Sequence, residues 1–528
     1  MSQRFRVALV SAEGVPFAKV GGLADVVGAL SRSVAELGAS VAVVLPRYAG
    51  LSLPHGASLV LAATVDVPVG GEDRRALVYQ LEGGEKTPHL LHYFIGSDRY
   101  FGRPGIYDDP ATGEAYRDNA ERFVFFTRAA LEGLRALAYA PDVIHANDHQ
   151  TALIPAYLKT LYAEDPFYQM TASILSIHNM GYQGVYPAAT MPLAGFPADY
   201  FYPLSPFEFW GQMNFLKAGI HFADVITTVS ERYAEEIQSG EEFGFGLQGA
   251  LNARRVDLVG ILNGIDVRTW NPRTDRLIAA RYDAGSIEAK GLCKSALLEE
   301  CAFPSSPDWP LIGLIARLAE QKGIDLIEGA ADRLMALPAR WVILGGGLRR
   351  FEELFERLAR EHPDRLAFRR GFDDPLAHRI EAGADFFLMP SRYEPCGLNQ
   401  MMSMRYGTVP VVRETGGLAD TVVPWDPDVP PPAGGPEAPG EPGKPTGIVF
   451  RDYTPDALVR AVEQALRLYE DRRLLRDIRR NGMARDFSWQ ASARKYVQLY
   501  RQANAARRMG TGFNRWLSAV QAERVARS

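Results

Sequence analysis

The fold follows from two stretches, Met389-Pro-Ser-Arg-Tyr-Glu-Pro-Cys-Gly-Leu-Asn-Gln-Met401 and Glu414-Thr-Gly-Gly-Leu-Ala-Asp-Thr421. A short apolar run precedes each of them, Asp385-Phe-Phe-Leu388 and Val409-Pro-Val-Val412. This order predicts two strands that each lead into a polar, glycine-containing turn and then a helix. Backbone N–H groups and the positive ends of helix dipoles then gather at one edge of a sheet, where open parallel sheets bind their ligands. Glu394 is the single carboxylate of the first turn, and we interpret it as a functional group rather than an ordinary turn acid.

The sequence Gly-Gly-Leu-Ala-Asp occurs twice, at 21–25 and at 416–420. Chance could produce this five-residue identity, because helices often begin with small residues. However, both copies follow a predicted strand and open a predicted amphipathic helix, which chance would not require. We therefore expect two similar βαβ domains, each offering a Gly-Gly helix N-terminus to a shared cleft.

Length and composition bound the class of protein. A chain of 528 residues suits two or three domains, and its 47% apolar and 23% charged residues are ordinary for a globular protein. The net charge of −5 argues against nucleic acid or an anionic membrane as the main partner. Cys293, Cys301 and Cys396 have no metal-ligand spacing, and no apolar run is long enough to span a bilayer. These features predict a soluble, cytoplasmic protein without a metal site.

The N-terminal half begins with a strand, a helix and a strand. Arg6–Val10 and Val41–Leu45 are apolar runs of strand length, and from Gly22 apolar residues recur at helical spacing. Such a unit is parallel, with a right-handed crossover. The turn that follows the first strand lacks the Gly-x-Gly-x-x-Gly pattern of dinucleotide oxidoreductases and carries Lys19 instead, which argues against a nicotinamide enzyme.

Two later strands are predicted to end in polar groups, Asp142-Val-Ile-His-Ala-Asn-Asp148 and Ser173-Ile-Leu-Ser-Ile-His-Asn179. Their ends should meet at the carboxyl edge of the first sheet, so we favour a functional role for His178 over a purely structural one. Residues 55–135 are predicted to alternate short strands with loops. Within them, the polar and aromatic segment 102–122, which includes Tyr107, is predicted to be a lid or binding loop.

The second half alternates strands and helices more regularly. Pro310–Ala316 is a predicted strand with Arg317 and Lys322 in the loop after it, and Trp341–Leu344 runs into three glycines. We therefore predict an α/β protein with two Rossmann-like, doubly wound domains, residues 1–265 and 266–490. Residues 491–528 are predicted to form a C-terminal helix that returns to the first domain, plus a tail with no assigned task. The Pro/Gly-rich segment 424–446 is predicted to be a surface loop.

Three cations are expected at strand ends: Lys19, Arg317 and Lys322. Each alone would more often be a solvated surface charge. Together with several Gly-rich helix starts they predict a site for a diphosphate, where Gly346 and Gly347 allow close backbone approach. Fixed cations can neutralise a leaving diphosphate without a metal.

Other catalytic arrangements lack support in the sequence. No Ser-His-Asp triad, Cys-His pair or zinc-ligand spacing occurs, and the Asp426-Pro-Asp428 string falls in the 424–446 loop. Cys396 stands at a predicted helix start, where thiolates are favoured, but we prefer to interpret it as a small buried residue.

Six motifs together resemble the bacterial glycogen synthases and plant starch synthases. They are, in chain order, Lys19-Val-Gly-Gly-Leu-Ala-Asp25, His178-Asn179, Asn263-Gly-Ile-Asp266, Ala316-Arg-Leu with Gln321-Lys-Gly323, Ser391-Arg-Tyr-Glu-Pro-Cys-Gly-Leu398 and Thr415-Gly-Gly-Leu-Ala-Asp-Thr421. The resemblance implies a GT-B fold, in which two Rossmann-like domains close over a deep cleft. It also implies transfer of glucose from a nucleotide sugar, usually ADP-glucose in bacteria, to the 4-OH at the non-reducing end of an α-1,4-glucan such as glycogen, with retention of configuration. The donor is a substrate, and no cofactor is implied.

The resemblance also implies roles for single residues. Arg317 and Lys322 would hold the diphosphate, Glu394 would contact the donor sugar, and His178 would line the transferred glucose. The implied catalytic set is Glu394, Arg317, Lys322, His178 and Asp148. The implied substrate contacts are Lys19, Gly21, Gly22, Tyr107, Asn179, Asn263, Gly346, Cys396, Gly397, Leu398, Gly416 and Gly417.

Several positions depart from the common family pattern. Val20 and Asn399 stand where threonines are usual, and Met402 stands where related transferases carry the second Glu of Glu-x7-Glu. Asp148-His-Gln150 replaces Asp-Trp-His, and Gly347-Leu348 replaces Gly-Asp. These changes bear on nucleotide and acceptor preference more than on the chemistry, because the predicted diphosphate cations and Glu394 are unchanged.

Four other functions remain to be separated from this one. The closest is a different nucleotide-sugar transferase of the same fold, such as one that makes sucrose or maltose 1-phosphate. A glucan phosphorylase would need a pyridoxal-phosphate lysine, and a dehydrogenase is disfavoured by the first turn. A glucan-binding protein without turnover is the alternative outside the enzymes.

Overall fold

The computed structural model describes residues 4–84, 87–305, 308–427, 443–510 and 512. Most of the predicted 424–446 loop, including Asp428, lies outside the described residues, as does nearly all of the tail beyond 510. The chain divides into two compact units. Unit 1 comprises residues 1–229, 234–262 and 489–528, and unit 2 comprises residues 230–233 and 263–488.

Strands and helices alternate along most of the chain. The strands are β1 Arg6–Val10, β2 Ser40–Pro46, β3 Ala57–Val69, β4 Glu72–Gly83, β5 Leu90–Gly96, β6 Val143–Asn147, β7 Ala172–Ile177, β8 Val185–Pro187, β9 Glu208–Phe209, β10 Gln212–Asn214, β11 Val225–Thr228, β12 Leu258–Gly260, β13 Leu311–Leu318, β14 Arg340–Gly347, β15 Leu366–Arg370, β16 Phe386–Met389, β17 Val409–Arg413 and β18 Ile448–Phe450. The α-helices are α1 Gly22–Glu36, α2 Asp98–Phe101, α3 Asn119–Ala136, α4 Leu153–Lys159, α5 Thr190–Ala194, α6 Phe215–Phe222, α7 Glu231–Ser239, α8 Glu241–Gly244, α9 Gln248–Ala253, α10 Lys290–Glu300, α11 Ile324–Ala336, α12 Arg349–Glu361, α13 Asp374–Gly383, α14 Asn399–Arg405, α15 Gly416–Thr421, α16 Pro455–Glu470, α17 Arg472–Met483 and α18 Trp489–Arg508.

Unit 2 contains a six-stranded parallel sheet in the order β15-β14-β13-β16-β17-β18. Counted from its own first strand this is the Rossmann order 3-2-1-4-5-6. The order reverses between β13 and β16, so the loops after these two strands diverge and leave room for a ligand at their carboxyl ends. The strands carry near-continuous apolar residues because helices cover both faces.

Unit 1 contains a nine-stranded sheet in the order β12-β11-β7-β6-β1-β2-β5-β4-β3. The strands from β12 to β5 run parallel and follow the same winding, with the reversal between β1 and β6. The edge strands β3 and β4 are antiparallel additions. The strands β8, β9 and β10 form a separate small antiparallel sheet.

The last helix of the chain completes the core of unit 1. α18 packs on α1 and on the sheet, where Trp489, Tyr496 and Tyr500 join the buried side chains of β1 and β2. The hydroxyl of Tyr500 lies 2.7 Å from Nδ1 of the buried His145 on β6. Every helix in the described part of the chain is too short or too polar to cross a membrane.

Two local predictions were wrong. Residues 55–135 contain two long strands and the 18-residue helix α3 rather than short strands and loops. Alternation of apolar and polar residues is weak in β3, so its length could not be read from the pattern. Arg317 lies within β13 instead of the following loop. The second Gly-Gly-Leu-Ala-Asp copy opens a helix as predicted, and that helix has six residues.

A buried ion cluster ties β16 to two helices of unit 2 and yields a stability prediction. Asp385 contacts Lys294 at 2.8 Å and Arg479 at 2.6 Å, and it accepts the Leu311 N–H at 2.9 Å. We expect Asp385→Asn to lower the free energy of unfolding by about 3–5 kcal/mol, because it removes the buried counter-charge that the largely buried Lys294 and Arg479 share. Urea denaturation measures this loss.

The same lysine supplies the matched control. Asp308 also contacts Lys294, at 3.4 Å, but its side chain is 69% exposed. Asp308→Asn should cost less than about 1 kcal/mol, because exposed ion pairs contribute little. Equal losses for the two variants would contradict the assignment of Asp385 as a structural anchor.

Candidate active site

The predicted site residues fall into two groups, one in each unit, and each group lies at the point where its own sheet reverses strand order. In unit 2, Arg317 lies near the end of β13, Lys322 follows that strand, and residues 390–398 follow β16. In unit 1, the turn after β1 carries Lys19, and Asp148 follows β6.

The unit 2 group is built around an ion pair between Lys322 and Glu394. Nζ of Lys322 lies 2.9 Å and 2.7 Å from the two carboxylate oxygens. The buried hydroxyl of Ser391 donates to Oε2 of Glu394 at 2.9 Å. The side chain of Glu394 is 6% exposed and that of Lys322 25%, so the carboxylate is fixed while the ammonium keeps contact with solvent.

Glycines let two backbone segments pack closely against the loop that carries Glu394. The N–H of Gly417 donates to the carbonyl of Glu394 at 3.1 Å. If Gly416, Gly417 or Gly323 carried a Cβ atom, that atom would lie 2.0 Å from a backbone carbonyl oxygen. The three oxygens belong to Glu394, Cys396 and Pro390, respectively. Gly416 and Gly323 also have positive φ angles, 44° and 72°. No residue with a side chain fits at these positions without moving the Glu394 loop.

Cys396 is a buried packing residue. Burial raises the pKa of its thiol to about 12, so a thiolate is strongly disfavoured. It lies against the backbone N–H of Asn263, whose Oδ1 is buried without a hydrogen-bond partner among the described residues. Gly397 has a φ of 68°, and the amide of Gln400 donates to the carbonyls of Cys396 and Gly397 at 3.0 Å each. Leu398 is the N-cap residue of α14.

The glycines at the end of β14 lie beside the end of β13. Gly346 pairs in register with Arg317 across the sheet. The N–H of Gly347 donates to the carboxylate of Glu352 at 2.9 Å, and Glu352 pairs with Arg370 at 2.5 Å. Close backbone approach of a diphosphate to these glycines stays a prediction, and the N–H of Gly347 is already engaged by the acid of the following helix.

In unit 1, β6 and β7 are neighbours, and their polar ends meet. Oδ1 of Asp148 accepts the backbone N–H of His178 at 2.7 Å, and the N–H of Asn179 also points to this carboxyl. Asp148 has a left-handed backbone with a φ of 55°, an uncommon conformation for a residue with a side chain. Burial raises the pKa of its carboxyl to about 7, the charge of Glu13 adds to the rise, and the two N–H groups oppose it.

His178 is held as a neutral imidazole in one tautomer. Burial lowers its pKa to about 4. The Asn147 amide nitrogen donates to the carbonyls of Val10 and His145, so Oδ1 of Asn147 is the atom that faces Nε2 of His178 at 3.0 Å. Nε2 must therefore carry the proton, and Nδ1 carries the lone pair.

The turn after β1 contains an acid that sequence reasoning missed. Glu13 is 3% exposed, and its Oε2 accepts the N–H groups of Val20 and Gly21, the latter at 2.9 Å. Its Oε1 accepts the hydroxyl of Tyr107 at 2.6 Å. The N–H of Gly21, predicted to face the nucleotide, is thus engaged within the protein. Lys19 projects outward and pairs with Asp25 at 2.8 Å.

A signal for Glu13 exists in the sequence. Glu394 was selected as the single acid of its turn, and Glu13 is the single acid between β1 and Gly22. The same rule, applied to the first domain, would have found it. Asn147 belongs to the polar strand end that the sequence predicted, but its contact with His178, like that of Ser391 with Glu394, depends on the fold.

Comparison with protein families assigns both halves of the chain. Residues 6–253 match the starch synthase catalytic domain, and residues 302–483 match glycosyl transferases group 1. The first match covers the nine-stranded sheet except β12, and the second covers the six-stranded sheet.

Individual relatives match almost end to end. The chain is 45% identical to a glycogen synthase of Koribacter versatilis, over 95% of this chain and 99% of that protein. It is 47% identical to a glycogen synthase of an Anaeromyxobacter species, over 94% and 99%, and 44% identical to that of Thermotoga maritima, over 95% and 99%.

Solved structures agree with this assignment. The catalytic domain of starch synthase IV from Arabidopsis thaliana, bound to ADP and acarbose, superposes with a TM-score of 0.83 at 31% identity, covering 96% of this chain and all of that one. Sucrose-phosphate synthase from Thermosynechococcus elongatus, with a TM-score of 0.56 at 19% identity over 95% of this chain and 100% of the other, shares the fold alone. The predicted α/β fold class and family resemblance are confirmed. The chain belongs to the glycogen synthase and starch synthase family of glucosyltransferases.

Proposed function

We propose that the chain transfers the glucosyl group of ADP-glucose to the 4-OH at the non-reducing end of an α-1,4-glucan, with retention of configuration. The Lys322–Glu394 ion pair at the strand reversal of unit 2 is the observation that carries this proposal. The ADP and acarbose bound by the starch synthase IV relative support a nucleoside diphosphate and a glucan-like ligand for this fold. Residues 266–490 form the proposed nucleotide-sugar side and residues 1–265 the proposed acceptor side.

Lys322 is proposed to stabilise the departing diphosphate. Its ammonium has three N–H donors, and two of them are directed at Glu394. The third can reach a phosphate oxygen, and the carboxylate keeps Nζ in place before the donor arrives. Arg317, at the end of the adjacent β13, adds a second cation. Charge fixed in advance where charge develops is the most effective form of electrostatic catalysis.

Glu394 is proposed to contact the donor sugar rather than to attack it. Its two oxygens are already held by Lys322 and Ser391, which favours a hydrogen-bonding role over a nucleophilic one. Retention is then assigned to same-face attack: the acceptor 4-OH bonds to the anomeric carbon as the bond to the diphosphate oxygen breaks, and a phosphate oxygen takes the hydroxyl proton. This differs from a retaining glycosidase, which needs a second carboxylate as nucleophile.

His178 and Asp148 are proposed to bind the transferred glucose. The neutral His178 offers the lone pair of Nδ1 to a sugar hydroxyl without placing a cation beside the reacting carbon. The contact between Asp148 and the backbone of His178 fixes that ring relative to the end of β6. Lys19, Asn179 and the glycine-rich starts of α14 and α15 complete the proposed set.

The donor assay tests the function directly. Purified protein is incubated with glucose-labelled ADP-glucose or UDP-glucose, and with glycogen, maltotetraose, fructose 6-phosphate or phosphate as acceptor. We expect label to enter glycogen from ADP-glucose, with α-linked product by NMR. Transfer only to a small sugar, or a β-linked product, would contradict the proposal, and glucan binding without nucleotide release would favour the non-catalytic alternative.

Removal of the diphosphate cations should slow the reaction. We expect Lys322→Ala and Arg317→Ala each to lower kcat about 10²–10³-fold, because each removes charge that stabilises the leaving group. Arg357→Ala is the matched control, since Arg357 is half exposed on α12 and pairs with Glu361 at 3.1 Å. Near-normal turnover in either site variant would remove the basis of the mechanism.

The ionisation of Asp148 should make the free energy of unfolding fall as the pH rises. The folded-state pKa, about 7, lies above the unfolded value, so Asp148 stabilises the folded state at low pH and this contribution is lost as pH rises through 7. Asp148→Asn keeps an acceptor for the His178 N–H but cannot ionise. Urea unfolding should therefore show the variant gaining on the wild type between pH 5 and pH 8, by up to about 3 kcal/mol. A difference independent of pH would contradict a raised pKa at Asp148.

A further inference from the structure

The carboxylate of Glu13 joins two segments that are far apart in the sequence. One is the turn 14–21 that precedes α1 and carries Lys19, and the other is the segment 102–118 that carries Tyr107. Within unit 1, Glu13 accepts hydrogen bonds from Val20, Gly21 and Tyr107, and no other acid lies in its turn.

The first segment is held by Glu13 directly before helix α1. The N-cap residue Gly21 has no side chain to cap the helix, and its N–H and that of Val20 donate to the carboxylate of Glu13. A negative charge at this end of a helix also suits the helix dipole. Hydrogen bonds between Gly14 and Ala18 at 2.9 Å and 3.1 Å help to close the turn. Lys19 directly precedes the two bonded residues, so Glu13 holds the backbone next to it.

The second segment is held from two sides. Its backbone is fixed by α3, where the amide of Asn119 donates to the carbonyl of Tyr107 at 2.9 Å and the fully buried Arg122 donates to the carbonyl of Ile106 at 3.0 Å. The side chain of Tyr107 is fixed by its hydrogen bond to Glu13. Burial and then the charge of Glu13 raise the pKa of Tyr107 well above its usual value, so its hydroxyl remains a donor to Glu13.

We propose that Glu13 is a positioning residue for glucosyl transfer, which sets the Lys19 turn and the Tyr107 ring in one arrangement before the substrates bind. This inference rests on the proposed function for its catalytic part. It does not place Glu13 in contact with substrate, because both carboxylate oxygens are occupied by protein donors. The charge of Glu13 adds to the raised pKa of the nearby Asp148, so the Glu13 carboxylate also acts on the end of β6.

The test compares three variants by kinetics. Glu13→Ala removes both connections and should lower kcat about 10²-fold, with little change in KM for the donor, since small misplacements of positioned groups cost about this much. Glu13→Gln keeps an acceptor for the backbone N–H groups and a polar partner for Tyr107, so its kcat should remain within about fivefold of wild type. Tyr107→Phe combined with Glu13→Ala should lose little more than Glu13→Ala alone, because the two groups act through one contact.

A matched pair controls for the general effect of breaking a Tyr–Glu contact. The hydroxyl of Tyr162 donates to Glu132 at 2.6 Å at the far end of α3. Glu132→Ala should leave kcat unchanged. If Glu13→Gln is as inactive as Glu13→Ala, or if the losses of Glu13→Ala and Tyr107→Phe multiply in the double variant, the positioning role is overturned.

Hydrogen–deuterium exchange separates this inference from the proposed function. In Glu13→Ala, peptides covering 14–24 and 102–118 should both exchange faster, while peptides of β14 stay unchanged. If only the first segment loosens, Glu13 does not connect the two and the inference is wrong. If the wild type fails to transfer glucose, the proposed function fails, and the exchange pattern still decides whether Glu13 couples the segments.

Discussion

Buried carboxylates at the strand reversals are the constraint on which both halves of this protein depend. An acid out of contact with water is tolerated only when its lone pairs meet donors, and a partial set of donors leaves a large penalty. Glu394 meets this condition with Lys322 and Ser391. Glu13 meets it with two backbone N–H groups and a tyrosine hydroxyl. In each unit the need to satisfy one acid fixes the loops around it.

The same constraint explains the glycines of the family motifs. Gly416 and Gly417 lie against the carbonyls of Glu394 and Cys396 at a distance that excludes a Cβ atom. Gly21 gives its N–H to Glu13. Part of the glycine signal therefore reports close packing of loops around an acid. The same packing positions Lys322 and His178, the side chains to which we assign ligand binding in the proposed function.

The sequence was sufficient for the fold because parallel α/β domains repeat one simple unit. Apolar runs such as those of β13 and β16 have to be buried strands, and a strand followed by an amphipathic helix dictates the right-handed winding. It also located the ends of β6 and β7, so that Asp148 and His178 could be expected together. It could not show that Glu352 occupies the Gly347 N–H or that Glu13 reaches Tyr107. Those contacts join residues whose proximity depends on loop conformation, which local patterns do not encode.

The position of α18 has a consequence for how the protein is made. The core of unit 1 includes Trp489, Tyr496 and Tyr500, although its first strand begins at Arg6. During synthesis the ribosome must therefore deliver all of unit 2 before the side chains that seal the first sheet emerge. The nascent N-terminal part therefore lacks these core side chains throughout elongation. A chain truncated before residue 489 would lack them permanently.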